Sequence, residues 1–204
     1  MKSDTRFWNK IAPKYAKTLI ADEAAYQHKL ERTRSYFTPD ATVLEIGCGT
    51  GSTALLHAPF VKEILATDFA DEMLDIARSK AEAEGITNVR FEHMNADAID
   101  GSFDVVMAMS VLQLVPNRAE VIERIFRVLK PGGHFISSTT CLMDEMWYLL
   151  PVLPLGRIIG QIPYVAFFTA DTLRKNLETA GFEIVEDWQP APKKALFLVA
   201  KKPG

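Results

Sequence analysis

The chain has 204 residues, 48% of them hydrophobic and 24% charged, with a formal net charge of −3. That length suits one domain with a sizeable core, and the lack of a basic excess argues against DNA or RNA as a partner. Two cysteines, Cys48 and Cys141, cannot build a disulfide framework, and the four histidines show no metal-ligand spacing, so a cytoplasmic chain without a metal centre is expected.

Residues 5–37 read as irregular helix carrying Phe7, Trp8, Ile11, Tyr15, Leu19, Tyr26, Leu30 and Phe37, and Thr38-Pro39-Asp40 ends the section. From Thr42 onward strand and helix signals alternate. Short apolar, β-branched runs predict buried parallel strands at Val43–Ile46, Ile64–Thr67, Val89–His93, Phe103–Met109 and His134–Thr139. A helix is predicted from Asp71 to Glu84, stopped by Gly85. A second begins at Asn117, with Glu120 placed for a near-capping box, and is expected to end at Pro131-Gly132-Gly133. A third starts near Thr169 and stops at Gly181. The closing runs Phe182–Trp188 and Ala195–Lys201 are joined by too short a link for a crossover helix, so they must pair antiparallel. The expected fold is α/β: a Rossmann-like, doubly wound, seven-stranded sheet, mostly parallel, with a terminal antiparallel hairpin and N-terminal helices.

The run Val43-Leu44-Glu45-Ile46-Gly47-Cys48-Gly49-Thr50-Gly51 is a strand, a glycine turn and a helix start. Glycines let the backbone approach a ligand, and the helix end behind them offers unpaired N–H groups. Ser52 stands where a dinucleotide fingerprint would carry a third glycine or alanine, which counts against a nicotinamide-dependent oxidoreductase. Asp68, at the end of the next strand, is placed to accept from ribose hydroxyls.

With the glycine run come Thr67-Asp68-Phe69-Ala70-Asp71-Glu72-Met73-Leu74, Asn95-Ala96-Asp97-Ala98, Ser102-Phe103-Asp104-Val105-Val106 and Arg127-Val128-Leu129-Lys130-Pro131-Gly132-Gly133. In this order, with the reversed terminal hairpin, they resemble the class I S-adenosylmethionine-dependent methyltransferases. The resemblance covers Thr42 to Lys201 and implies S-adenosyl-L-methionine as cofactor and S-adenosyl-L-homocysteine as product. It places the Gly47, Gly49 and Gly51 backbone along the methionine part, with Glu45 beneath it near the amino group. It gives the ribose to Asp68, lays Phe69 against the adenine, and has Asp97 and the Ala98 amide meet the ring. Ser110 is expected near the methionine amino group or the acceptor. The chain departs from the family where the loop between Asp97 and Phe103 is cut to Ala98–Ser102.

Cys48 reads as buried filler, and His57, His93 and His134 as core or surface side chains; no catalytic residue is assigned. The sulfonium is already a strong electrophile, so alignment and desolvation carry much of such a reaction. The resemblance puts acceptor specificity in an N-terminal helical cap, 1–39, and in an apolar insertion, 141–169, where Trp8, Tyr15, Tyr26, Trp147 and Tyr148 are the acceptor-binding candidates. Broken by Pro151, Pro154, Gly156, Gly160 and Pro163, the insertion is not expected to span a membrane. It reads as packed core, as an apolar lid over the acceptor, or as a surface in peripheral contact with a membrane. The expected partner is a small-molecule or lipid-like, hydrophobic acceptor; a catalytically silent cofactor-binding subunit is the other reading.

Overall fold

The structure is a computed structural model that describes residues 2–145, 162–192 and 194–204. Two helices open the chain, α1 (Lys2–Tyr15) and α2 (Glu23–Arg34). The strand-helix alternation follows as β1 (Thr42–Ile46), α3 (Ser52–His57), β2 (Glu63–Asp68), α4 (Asp71–Glu84), β3 (Val89–His93) and β4 (Phe103–Met109). Next come α5 (Arg118–Val128), β5 (Leu129–Thr139), α6 (Leu142–Glu145), α7 (Ala170–Thr179), β6 (Glu183–Trp188) and β7 (Leu196–Lys201).

The sheet runs in the order β3-β2-β1-β4-β5-β7-β6. β1 pairs parallel with both β2 and β4, whereas β7 lies antiparallel between β5 and β6. The chain leaves β1 toward one edge of the sheet and crosses to β4 on the other side. The loops at the carboxyl ends of these two strands therefore diverge, which opens a crevice at that point of an α/β sheet.

Strand side chains alternate faces, and this builds two core layers. Leu44, Ile46, Val106, Phe135 and Leu198 point to the layer closed by Ile122 and Ile125 of α5 and Leu173 and Leu177 of α7. Val43, Val105, Ile136, Phe197 and Val199 point to the opposite layer, closed by Ala54 and Leu55 of α3 and Leu74 and Ala77 of α4. β6 is an edge strand with Glu183, Val185 and Asp187 exposed; its charges guard the open edge.

Two local expectations are corrected. The helix expected to run to Pro131 ends at Val128, because Leu129 is already extended and its side chain is buried. Pro131 also disfavours helix at Lys130. The glycines then loop the chain out and back into register, Phe103 facing Leu129 and Val105 facing His134. Gly133 is needed there, since a Cβ would sit 2.8 Å from the Asp104 carbonyl oxygen. The capping box at Asn117 does not form: its side chain donates to the Glu120 carboxylate at 3.3 Å and caps no backbone amide.

Asp104 closes the sheet's far end. One of its carboxylate oxygens accepts from the Thr42 amide (2.8 Å), the Thr42 hydroxyl (2.9 Å) and the Lys130 ammonium (2.8 Å). Partial burial opposes ionisation, but these donors outweigh it and hold the carboxyl below the usual range.

The N-terminal section is two helices docked on different parts of the domain. α1 lays Trp8, Ile11 and Ala12 against Ala70, Met73 and Ile76 of the α4 region. α2 starts where Asp22 accepts from the Ala25 amide at 3.1 Å, and it reaches the far edge of the sheet. There Arg32 grips the Glu186 carboxylate with two nitrogens, Tyr36 donates to the same group, and His28 stacks on Trp188 at 4.3 Å. The neck of the insertion is tied shut by the Met143 amide donating to the Phe168 carbonyl at 3.2 Å. Phe168 and Ala166 are buried in the core, so this part of the insertion packs. No helix among the described residues is long and apolar enough to cross a membrane.

Candidate active site

Gly47 begins the turn after β1 with φ +61°, and a Cβ there would collide with the Val111 side chain. Only glycine fits, because the Val111 side chain occupies the space a side chain would take. Gly47 forms part of the wall of two neighbouring cavities, of about 400 and about 320 Å³. Gly49 lines the larger one. Gly51 lines neither; a Cβ on it would meet Ala77 at 2.7 Å and Phe91 at 2.9 Å, so it lets the start of α3 pack onto α4 and β3. Of the three glycines expected along the cofactor, Gly47 and Gly49 are brought to the cavity walls and Gly51 is not.

The smaller cavity is an apolar slot between Phe69, Met94, Val111, Leu114 and Val115, with Asp68 and Asp97 also in its wall. Asp68 is 8% exposed and ties the glycine turn to the second strand. Its Oδ2 accepts from the Gly49 amide and its Oδ1 from the Ala70 amide, both at 2.9 Å. Burial raises the Asp68 carboxyl despite these donors. Asp97 is exposed at the rim. Ala98 is not brought to the wall, and its amide is spent on the Asn95 carbonyl at 2.9 Å.

The larger cavity has Glu45 in its wall, 2% exposed, with Oε2 lacking any hydrogen-bond partner among the described residues. Burial, with the nearby Asp68 charge, pushes its carboxyl up to about 8. Tyr15 passes over Gly49, and burial and Asp68 raise its hydroxyl. Tyr26 enters from α2; burial raises its hydroxyl more than a bond with Thr53 lowers it. Ser110, just past β4, holds the left-handed φ of +59° while its amide donates to the Ser138 carbonyl at 2.8 Å. A non-glycine residue held there marks a backbone fixed by its surroundings, as functional turns often are. Trp8 borders neither cavity; it stacks edge-on against Phe7 and Tyr15 and staples α1 to α4. Trp147 and Tyr148 lie outside the described residues.

Lys29 was not anticipated. Its ammonium donates to the Ser138 hydroxyl at 2.8 Å, and it is the one lysine or arginine in the wall of the larger cavity among the described residues. Burial lowers its pKa. The signal was in the helical stripe: Tyr26, Lys29, Leu30 and Thr33 share one face of α2, and a lysine among inward positions needs a reason to be there. His57 also borders this cavity, fully buried, edge-on to Phe37 and held neutral by burial and Arg34, which lower it to about 3. Cys48 is buried, and burial raises its thiol far from reactivity, which suits filler. His93 pairs with Asp71 at 2.7 Å, and His134 stacks on Tyr36, both away from the two cavities.

The family model "Methyltransferase domain" matches residues 37–161, more than half of the chain and the whole glycine crevice. The chain belongs to the class I S-adenosylmethionine-dependent methyltransferases. A demethylmenaquinone methyltransferase of Leptospira interrogans is 28% identical over 97% of this methyltransferase and 91% of its own length. One from Lactococcus lactis is 36% identical over 71% of this chain and 67% of its own length. The solved structure of the YcgJ protein from Bacillus subtilis superposes with a TM-score of 0.72 at 20% identity, covering 87% of this chain and 99% of that one. The family match sets aside the nicotinamide reading.

The residues present suit S-adenosylmethionine. Gly47 lies in the wall of both cavities, one Glu45 carboxylate oxygen has no donor among the described residues, and the Asp68 carboxylate stands in the wall of the apolar slot.

Proposed function

We propose that this methyltransferase acts on a small, hydrophobic, electron-rich aromatic acceptor of the hydroquinone or phenol type. The observation that carries the reading is the larger cavity: it adjoins the glycine turn, and Tyr15, Leu19, Ile20 and Leu30 give it an apolar patch beside polar side chains that include Lys29, Thr33, Glu45 and His57. The near full-length likeness to demethylmenaquinone methyltransferases supports the same acceptor class.

In this reading Asp68 holds the ribose, Phe69 and Val111 flank the adenine, and Asp97 accepts from its amino group at the rim. Glu45 and Lys29 divide the two charges of the methionine end, the carboxyl meeting the ammonium and the lysine meeting the carboxylate. When bound, the cofactor supplies an electrophilic methyl group on sulfur. The chain's own contribution is to align the acceptor with that methyl and to exclude water, effects that carry large rate factors without a dedicated base. Tyr15 and Tyr26 cover the acceptor from the N-terminal section, which acts as a cap.

The test is incubation with methyl-labelled S-adenosylmethionine and a panel of hydroquinones, phenols, thiols and amines, with products separated by chromatography. Labelled methyl on an apolar hydroquinone or phenol supports the reading. Transfer only to thiols or amines refutes the acceptor class, and binding of S-adenosylhomocysteine with no transfer to any acceptor would mark a silent subunit.

A further inference from the structure

The charge of this chain is not spread evenly. From Thr5 to Ala21 it carries Arg6, Lys10, Lys14 and Lys17 and no acidic residue, on a chain of net charge −3. Arg6, Lys10 and Lys14 follow at intervals of four and so form one stripe along α1. The other face of the helix, with Trp8, Ile11 and Ala12, is spent on packing against α4. All four basic side chains are exposed and make no ion pair among the described residues.

The stripe leads directly into an exposed apolar tip. Leu19 is 89% exposed, and Ile20 and Tyr15 are each 47% exposed. Water-facing leucine at that level costs free energy unless something covers it. Tyr15, Leu19 and Ile20 also form part of the wall of the larger cavity, so the tip stands at its mouth.

We propose that α1 and the 15–20 tip dock this methyltransferase on an anionic lipid surface, with the mouth of the larger cavity turned toward the lipid. Basic residues beside a short apolar insertion are what such a surface attracts: the cations meet the headgroups and the apolar tip enters the acyl boundary. A nucleic acid would use the cations but has no use for a bare leucine and isoleucine beside them, so the apolar tip decides for lipid. The arrangement delivers a lipid-dissolved molecule to the cavity without a passage through water. The docking stands on α1 and the tip alone, whatever the acceptor turns out to be.

The experiment is co-sedimentation of the full chain with vesicles of phosphatidylcholine, and with vesicles in which part of it is replaced by phosphatidylglycerol. Binding is expected to the anionic vesicles only and to weaken with added salt. Each lysine near such a surface raises partitioning by about fivefold. The double variant K10E/K14E, whose side chains border neither cavity, should therefore lose at least about tenfold in vesicle binding while keeping its affinity for S-adenosylhomocysteine. Leu19→Ser should weaken vesicle binding at unchanged charge. Overturning results are no binding to anionic vesicles, equal binding by wild type and K10E/K14E, full retention by Leu19→Ser, or tighter binding to a single-stranded RNA homopolymer than to vesicles. Failure here leaves the acceptor assignment intact, because transfer to an acceptor dispersed in detergent does not need a membrane.

Discussion

Replacing Glu45 by glutamine should change how the stability of the ligand-free protein depends on pH. The folded carboxyl titrates near 8 instead of 4.5. Between those two values the folded chain holds a proton there that the unfolded chain has released. Stability from this group is therefore complete below pH 4.5, falls as pH rises, and stops falling above pH 8. The slope is about 1.4 kcal/mol per pH unit, which over this window sums to an upper bound on the order of 5 kcal/mol. His57 works in the opposite sense. Its folded pKa is near 3 against 6.5 unfolded, so its contribution is complete above 6.5 and is lost as pH falls toward 3. The two groups nearly cancel between pH 4.5 and 6.5, and Glu45 acts without that opposition between 6.5 and 8. Asp68, whose carboxyl is also raised, adds to the Glu45 side. Urea unfolding followed by circular dichroism from pH 4.5 to 8.5 reads this directly. The wild type should lose stability between pH 6.5 and 8, whereas E45Q should not. E45Q should also gain stability between 4.5 and 6.5, where His57 is left unopposed. Parallel curves for the two proteins would refute the reasoning, because they would mean that the buried carboxyl keeps its ordinary titration.

Three further outcomes are expected. Asp68→Asn keeps an acceptor oxygen for one backbone amide but turns an NH2 group toward the other, so it should cost about 1–3 kcal/mol in urea unfolding while leaving the fold intact. Its affinity for S-adenosylhomocysteine should nevertheless fall about tenfold or more in calorimetric titration, and unchanged affinity would remove Asp68 from the ribose site. Lys29→Met should weaken S-adenosylhomocysteine about tenfold, as loss of one charge-assisted contact requires, and equal affinity would free Lys29 for another role. Gly47→Ala forces a Cβ into Val111 at positive φ; it should cost about 1–3 kcal/mol in urea unfolding and abolish cofactor binding. Adding Val111→Ala should restore part of that stability, and no restoration would mean the backbone angle alone is at fault.

Much of the fold was legible because its signals are local. The short apolar runs at Val43–Ile46 and Phe103–Met109, the stop at Gly85 and the glycine run after β1 all act within a few residues, so the strand, the helix end and the turn follow from the sequence itself. The antiparallel closing hairpin was legible from the shortness of its link, but not that β7 would insert between β5 and β6. That order is set by the almost wholly buried Leu196–Ala200 run, which needs cover on both faces, whereas β6 with its exposed charges suits the edge.

The site divides along the same line. The glycine turn and Asp68 could be named from the residues themselves, and the family resemblance added Glu45, Phe69, Asp97, Ser110, Tyr15 and Tyr26; the structure brings Gly47, Gly49 and all of these side chains to two adjoining cavities. That Gly47 packs against Val111, and Gly51 against Ala77 and Phe91, depended on residues far along the chain. That the Ala98 amide is spent on the Asn95 carbonyl, and that Ala98 lines neither cavity, follows from how the loop folds and not from its sequence pattern. Lys29 was invisible because its partner Ser138 is 109 positions away, and Arg32 is held by Glu186 across 154. Periodicity and turn chemistry are properties of neighbours in the chain, and they determined the elements and the glycine cradle. Charge pairing in a cavity belongs to neighbours in space, and only the packing of α2 across the sheet decided it.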